Sequence, residues 1–215
     1  MTPIRAAFAA ALALPATLAA ATAATAAEAV VAGGCFWCVE ADFESVPGVG
    51  DAVSGFTGGT TPDPVYRASG DHIEAVRTPF DEGTVSYRRI LDLFLRSVDP
   101  LDAGGQFCDR GREYTTAIFV DGPAQRQVAE EAVAAAEAEL GREIVTPILP
   151  RSEFYPVDAY HQDYYKSDER LAFSSVGLAV PKKVAYKRYR TGCGRDARVR
   201  QIWGDAAPFA DGSSS

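Results

Sequence analysis

Positive charge is scarce in this chain: 21 lysines and arginines face 29 aspartates and glutamates over 215 residues. Phosphate binding wants a basic face, so nothing supports nucleic acid as a partner. Histidine is scarcer still, with only His72 and His161. One Cys-x-x-Cys occurs, at Cys35 and Cys38, with no second such pair and no histidine pair at finger-like spacing, so no bound metal is expected. Internal repeats are absent, and no linker rich in Pro, Gly or Ser divides the chain, which favours one domain. Long strongly apolar runs are missing too. The Ala/Leu-rich stretch before Glu28 contains Pro15 and falls short of the roughly 20 strongly apolar residues that a membrane span needs.

That first stretch has a different pattern. Residues 1–27 combine Arg5, an apolar run and the small-residue end Ala24-Thr25-Ala26-Ala27, the arrangement of a secretory signal peptide. Its removal takes away Arg5 and no acid, leaving 20 basic and 29 acidic residues, a net charge of −9. The mature chain is expected to be exported, to the periplasm or beyond, with its acidity keeping it soluble. An oxidising compartment drives idle thiol pairs into disulfides, so Cys35, Cys38, Cys108 and Cys193 are read with that in mind.

The remaining chain, 47% hydrophobic over its whole length, is long enough for a sizeable core. Ala29–Ala32 reads as a short buried strand ending at Gly33-Gly34. Val39, Phe43 and Val46 recur at helical spacing until Pro47-Gly48. Val49–Phe56 and His72–Phe80 read as strands, separated by the turn-rich loop from Thr57 to Pro64. Tyr87, Ile90, Leu91, Phe94, Leu95 and Val98 form one helical stripe, with Ser86 or Thr84 as N-cap. A strand over Tyr114–Val120 completes the order strand, helix, strand, strand, helix, strand. This is a split βαβ, ferredoxin-like core in a two-layer α+β sandwich.

A helix from Pro123 to Leu140 follows, with Asp121 as cap and Gly141 at its end. Ile144–Leu149 is predicted as a strand and Asp158–Lys166 as a helix. Arg190–Arg195 is expected to be a mobile, glycine-flanked segment in a C-terminal extension. The domain is bounded at 28–204, with residues 205–215 as a disordered tail.

Redox chemistry centres on Gly33-Gly34-Cys35-Phe36-Trp37-Cys38-Val39-Glu40. A thiol at the first turn of a helix meets the positive end of the backbone dipole, which favours the nucleophilic thiolate. Cys35 is the candidate nucleophile and Cys38 its nearest thiol. Two small residues packed under the sheet remain an alternative, as do a thioredoxin-like thiol-disulfide oxidoreductase and a non-enzymatic secreted binding domain stapled by two disulfides. Cys108 fits an inert buried thiol, and His161 a hydrogen-bonded structural residue.

Six separated motifs narrow the choice: Gly34-Cys35-Phe36-Trp37, Gly55-Phe56-Thr57-Gly58-Gly59, Pro64-Val65-Tyr66, His72-Ile73-Glu74-Ala75-Val76, Gln106 to Tyr114, and Tyr160-His161-Gln162. In this order, from about Val30 to His161, the chain resembles the A-type peptide methionine sulfoxide reductases. The resemblance implies reduction of methionine S-sulfoxide, in proteins or free, with no cofactor beyond an external dithiol. Cys35 would be the nucleophile and Glu74 the acid. Tyr66 and Tyr114 would be hydroxyl donors to the sulfoxide oxygen, Phe36 and Trp37 an apolar wall for the S-methyl group, and Asp109 an orienting group.

A carboxyl in a partly apolar pocket keeps the proton that an acid catalyst needs. Glu113 stands where the family has Gln, a departure that alters local charge. Many family members carry glycine in place of Cys38 and resolve with a cysteine near the C-terminus. Here both Cys38 and Cys193 are present. Attack leaves Cys35 as a sulfenic acid, which condenses with a second thiol. Cys38 is expected to resolve it, with Cys193 as a further relay and a thioredoxin-like protein as the electron donor.

Overall fold

A computed structural model describes residues 27–174 and 177–210; the expected signal peptide, apart from Ala27, and residues 211–215 of the expected tail lie outside them. The chain begins with β1 (Ala27–Gly33), α1 (Phe36–Glu44), β2 (Val53–Thr57), β3 (Ile73–Phe80) and α2 (Tyr87–Ser97). A small hairpin of β4 (Gly105–Gln106) and β5 (Asp109–Arg110) precedes β6 (Thr116–Val120) and α3 (Gly122–Leu140). Then come β7 (Ile148–Pro150), β8 (Tyr155–Pro156), the hairpin of β9 (Arg170–Ser174) and β10 (Gly177–Pro181), α4 (Lys182–Gly192) and α5 (Arg195–Trp203).

The main sheet runs β7-β6-β1-β3-β2-β8. Its inner four strands have the order and antiparallel pairing of the ferredoxin-like core, and only β7 joins in parallel. Alternation along β3 decides what faces the helices. Val76 and Phe80 belong to the large core under α1 and α2, while Ile73 and Ala75 belong to a smaller cluster with Phe119. Glu74 shares the parity of Val76 and so rises on the helix side of the sheet. Ile90, Leu91, Phe94 and Leu95 of α2 are fully buried, and Ser86 caps that helix by accepting from the Arg89 N–H.

The C-terminal half departs from the sequence expectations. Residues 158–166 form successive turns, not a helix. Asp163 has a φ of +55°, its N–H donates to Glu40, and Gln162 bonds to Ser54 on β2, so tertiary anchors override local helical propensity. Arg190–Arg195 is not a loose segment: it spans the end of α4, Cys193 and the start of α5, with the turn made at Gly194, whose φ is +72°. Residues 205–210 are not a disordered tail either. Phe209 and Ala210 are buried, Phe209 lies against Phe43 at 6.4 Å between centroids, and its carbonyl accepts from Arg190.

Candidate active site

Gly33-Gly34 brings β1 directly onto α1. Gly34 has a φ of +77°, and a Cβ there would lie 2.5 Å from Cβ of Gln106, so the motif requires glycine at this turn. Gln106 is itself buried and fixed, accepting from the Asp99 N–H and donating to the Asp99 and Gly105 carbonyls. The α1 N-cap is Cys35, whose side chain does not cap the helix. Glu74 does so instead: its Oε2 accepts from the Phe36 N–H at 3.0 Å, satisfying one of the donors that a helix start leaves free.

That hydrogen bond sets the carboxyl of Glu74 beside Cys35. Glu74 is 2% exposed, and burial, reinforced by the charges of Glu113, Asp109 and Cys38, holds its pKa well above the usual carboxylate range despite the Phe36 bond. Glu74 is therefore a neutral acid, with one oxygen accepting from Phe36 and the other free to donate. Burial likewise raises Tyr66 and Tyr114. Both keep their hydroxyl protons over the working pH range.

The two thiols differ from the sequence expectation. Burial, then the contact with Cys38, raises Cys35 well above its ordinary value, outweighing the helix start. Cys38 is lowered, first by accepting a hydrogen bond from Cys35 and then, against its own burial, by the charges of Arg195 and Arg190. In the resting site Cys35 is the thiol and Cys38 the sulfur that better carries charge. Both are free.

Phe36 and Trp37, expected as the apolar wall, lie together with their ring centroids 5.9 Å apart. Phe36 is 1% exposed, and Trp37 stacks on Tyr164 at 4.0 Å between centroids. Tyr66 stacks on His161 at 3.8 Å, and the two rings lie near Trp37 at 6.2 and 5.7 Å. His161 was expected to be a hydrogen-bonded residue; instead its Nδ1 has no partner among the described residues and its ring packs in this stack, its pKa lowered by burial. His72 is placed elsewhere: its Nδ1 accepts from the Gly59 N–H at 3.2 Å and its Nε2 meets the Thr61 carbonyl at 2.8 Å, bracing the Thr57–Thr61 loop.

Asp109 accepts from the Tyr189 hydroxyl, and Tyr189 meets the edge of Trp37. Cys108, expected as an inert buried thiol, is exposed and joined to Cys193 in a disulfide with a Cα separation of 4.9 Å. Cys193 is thus paired with Cys108 and not with either thiol of the helix start. Tyr189, Arg190 and Arg195 were missed by the sequence reading, because α4 and α5 are strongly basic and their few apolar residues give no clear helical stripe, and Tyr164 was missed because it lies in the turns that replace the expected helix.

The sequence model of the family described as "Peptide methionine sulfoxide reductase" matches residues 27–201. A Rhizobium meliloti protein named Peptide methionine sulfoxide reductase MsrA 2 is 45% identical over 181 residues, covering 83% of this chain and 84% of its own. A Caulobacter vibrioides protein of the same name is 46% identical over 203 residues, covering 92% of this chain and 96% of its own. Among solved structures, methionine sulfoxide reductase A of Corynebacterium diphtheriae superposes with a TM-score of 0.60 at 26% identity, covering 74% of this chain and 84% of that one.

Proposed function

The chain belongs to the peptide methionine sulfoxide reductase family, and from that premise we propose how its residues reduce methionine S-sulfoxide. The observation that carries the reading is the neutral carboxyl of Glu74, hydrogen-bonded to the Phe36 N–H at the turn that holds Cys35. A sulfoxide yields its oxygen to a sulfur nucleophile only if that oxygen is protonated or strongly hydrogen-bonded, and Glu74 with the hydroxyls of Tyr66 and Tyr114 supplies those donors. Phe36 and Trp37 take the S-methyl group.

Cys35 attacks, the sulfoxide S–O bond breaks, and the products are the thioether and Cys35 sulfenic acid. The sulfoxide sulfur gains two electrons and Cys35 loses two. The Cys38 sulfur then attacks Cys35, an S–S bond forms, and the oxygen leaves as water. An external dithiol of the thioredoxin class reduces that disulfide, so no bound cofactor enters the electron balance.

Peptide-bound sulfoxide fits the rim of the site. Val65 and Tyr160, chain neighbours of Tyr66 and His161, are 58% and 44% exposed, and offer apolar contact to residues flanking the substrate. Export follows from the leader pattern of residues 1–27, and a Cys108–Cys193 disulfide, exposed at its Cys108 end, suits an oxidising compartment. The protein's role would then be repair of oxidised exported proteins. Epimer-resolved turnover with free and peptide-bound methionine sulfoxide tests the reading. Reduction of the S epimer alone is expected, and turnover of neither substrate would defeat it.

A further inference from the structure

Phe107, Cys108 and Asp109, successive residues around the turn of the β4-β5 hairpin, are each held by the α4–α5 unit. The Phe107 ring centroid lies 4.8 Å from the Arg195 guanidinium. Cys108 is joined to Cys193. Asp109 accepts from the Tyr189 hydroxyl. A covalent link thus sits between two non-covalent ones. The Tyr189 carbonyl accepts from the Cys193 N–H at 2.9 Å, so the disulfide and the Tyr189 ring ride on the same turn of α4. Phe107 has a φ of +55°, a backbone state that a residue with a side chain keeps only where its neighbours fix it.

Both sides of this clip end at the cysteine turn. On the hairpin side, Gln106 lies so close to Gly34, the residue before Cys35, that a Cβ there would meet its side chain. On the helix side, the Tyr189 ring meets Trp37 edge-on, at 6.2 Å between centroids and 84° between planes. Both rings pack on the buried cluster that contains Cys35 and Cys38. The Trp37 Nε1 has no hydrogen-bond partner among the described residues, so the indole is held by the rings around it. An indole held by packing alone shifts when one of its walls shifts.

We propose that the Cys108–Cys193 disulfide and Tyr189 form one positioning unit for the substrate pocket. The disulfide holds Asp109 against the Tyr189 hydroxyl, and Tyr189 holds Trp37 where it contacts the S-methyl group. Neither touches the reacting sulfur, so the unit sets how tightly the sulfoxide binds and leaves the chemical step alone. This task of the disulfide is distinct from electron transfer. Its consequence for substrate rests on the reductase reading; its effect on Trp37 does not.

The kinetic test is single turnover of methionine S-sulfoxide by the protein with Cys35 and Cys38 reduced, read as a maximal rate and a half-saturating concentration. Cys108→Ser/Cys193→Ser is expected to raise the half-saturating concentration about three- to tenfold, the scale of one aromatic edge contact. The maximal rate should change less than about twofold, as for an interaction made equally in ground and transition states. Tyr189→Phe keeps the ring and loses the hydroxyl, and should do the same. Combined with the serine pair it should add little, because the two act through one contact. In a Trp203→Phe background Trp37 is the one remaining tryptophan of the chain's two, and each variant should shift its emission to the red and raise its quenching by acrylamide. An unchanged half-saturating concentration in Tyr189→Phe overturns the proposal even if the serine pair fails to fold. So do effects that add in full. So does a serine pair that forms methionine normally in one turnover and fails only when recycled by a dithiol, the signature of an electron relay. A native protein that forms no methionine defeats the reductase reading, and the Trp37 emission then decides on the positioning unit by itself.

Discussion

Glu74 joins two jobs in one carboxyl group: it caps α1 through the Phe36 N–H, and it stays neutral because it is buried. The cap explains why an acid should lie beneath the cysteine turn at all. Glu74→Gln keeps an acceptor for the Phe36 N–H and removes the proton, so the fold should persist while turnover falls by about 10²–10⁴, the usual worth of a general acid. The pH dependence has a definite sign. A raised carboxyl is active while protonated, so kcat/KM should fall as pH rises through its elevated value, and Glu74→Gln should flatten that limb. A pH profile that keeps its alkaline limb in Glu74→Gln would assign the acid elsewhere. At Cys35, by contrast, the helix start suggested a thiolate in sequence, and burial with the contact to Cys38 reversed it in the structure.

The elements that carry the site differ in how far they were legible. The β1-α1-β2-β3-α2-β6 core could be read because Val39 and Phe43, the Tyr87–Val98 stripe and the alternation in β3 follow the periodicities of helix and strand. Glu74 and Tyr66 were assigned through the motifs that contain them. The α4–α5 unit was not legible. It packs through Tyr186 and the buried cations Lys182, Arg190 and Arg195, and a hydrophobic pattern cannot register a helix whose inward residues are charged.

Its attachment was hidden for the same reason, since pairing Cys108 with Cys193 requires knowing that β5 and α4 meet at Asp109 and Tyr189. The bond closes a sequence separation of 85 residues. Cys108→Ser should therefore lower unfolding free energy by about 2–4 kcal/mol, read by chemical denaturation. No change would show that the bond does not constrain the fold. Arg190→Met should cost about 3–5 kcal/mol, because it removes the main partner of buried Asp42.

For the whole molecule, buried carboxyls give stability a pH signature. Glu40, which accepts from Ser54 and from the Asp163 N–H, is pushed by burial from 4.5 to about 7. A raised carboxyl contributes stability that is fully present below its unfolded value and lost as pH rises through the folded one. Stability should thus decline between pH 4.5 and about 7, by on the order of 3 kcal/mol from this group. Glu40→Gln should remove that part of the decline in melting temperature, leaving the part due to Glu74. The chain's only methionine is Met1, so the described residues hold no methionine that oxidation could turn into a sulfoxide substrate.

The central claim is that Cys35 takes the oxygen and Cys38 resolves it. It is tested most directly by single turnover of the protein, with Cys35 and Cys38 reduced, on methionine S-sulfoxide, followed by mass-spectrometric mapping of the cysteines. The expected result is one methionine per chain with a Cys35–Cys38 disulfide, and a Cys35 sulfenic acid trapped in Cys38→Ser. Methionine formed with Cys35 joined to Cys193, or methionine formed by Cys35→Ser, would contradict it.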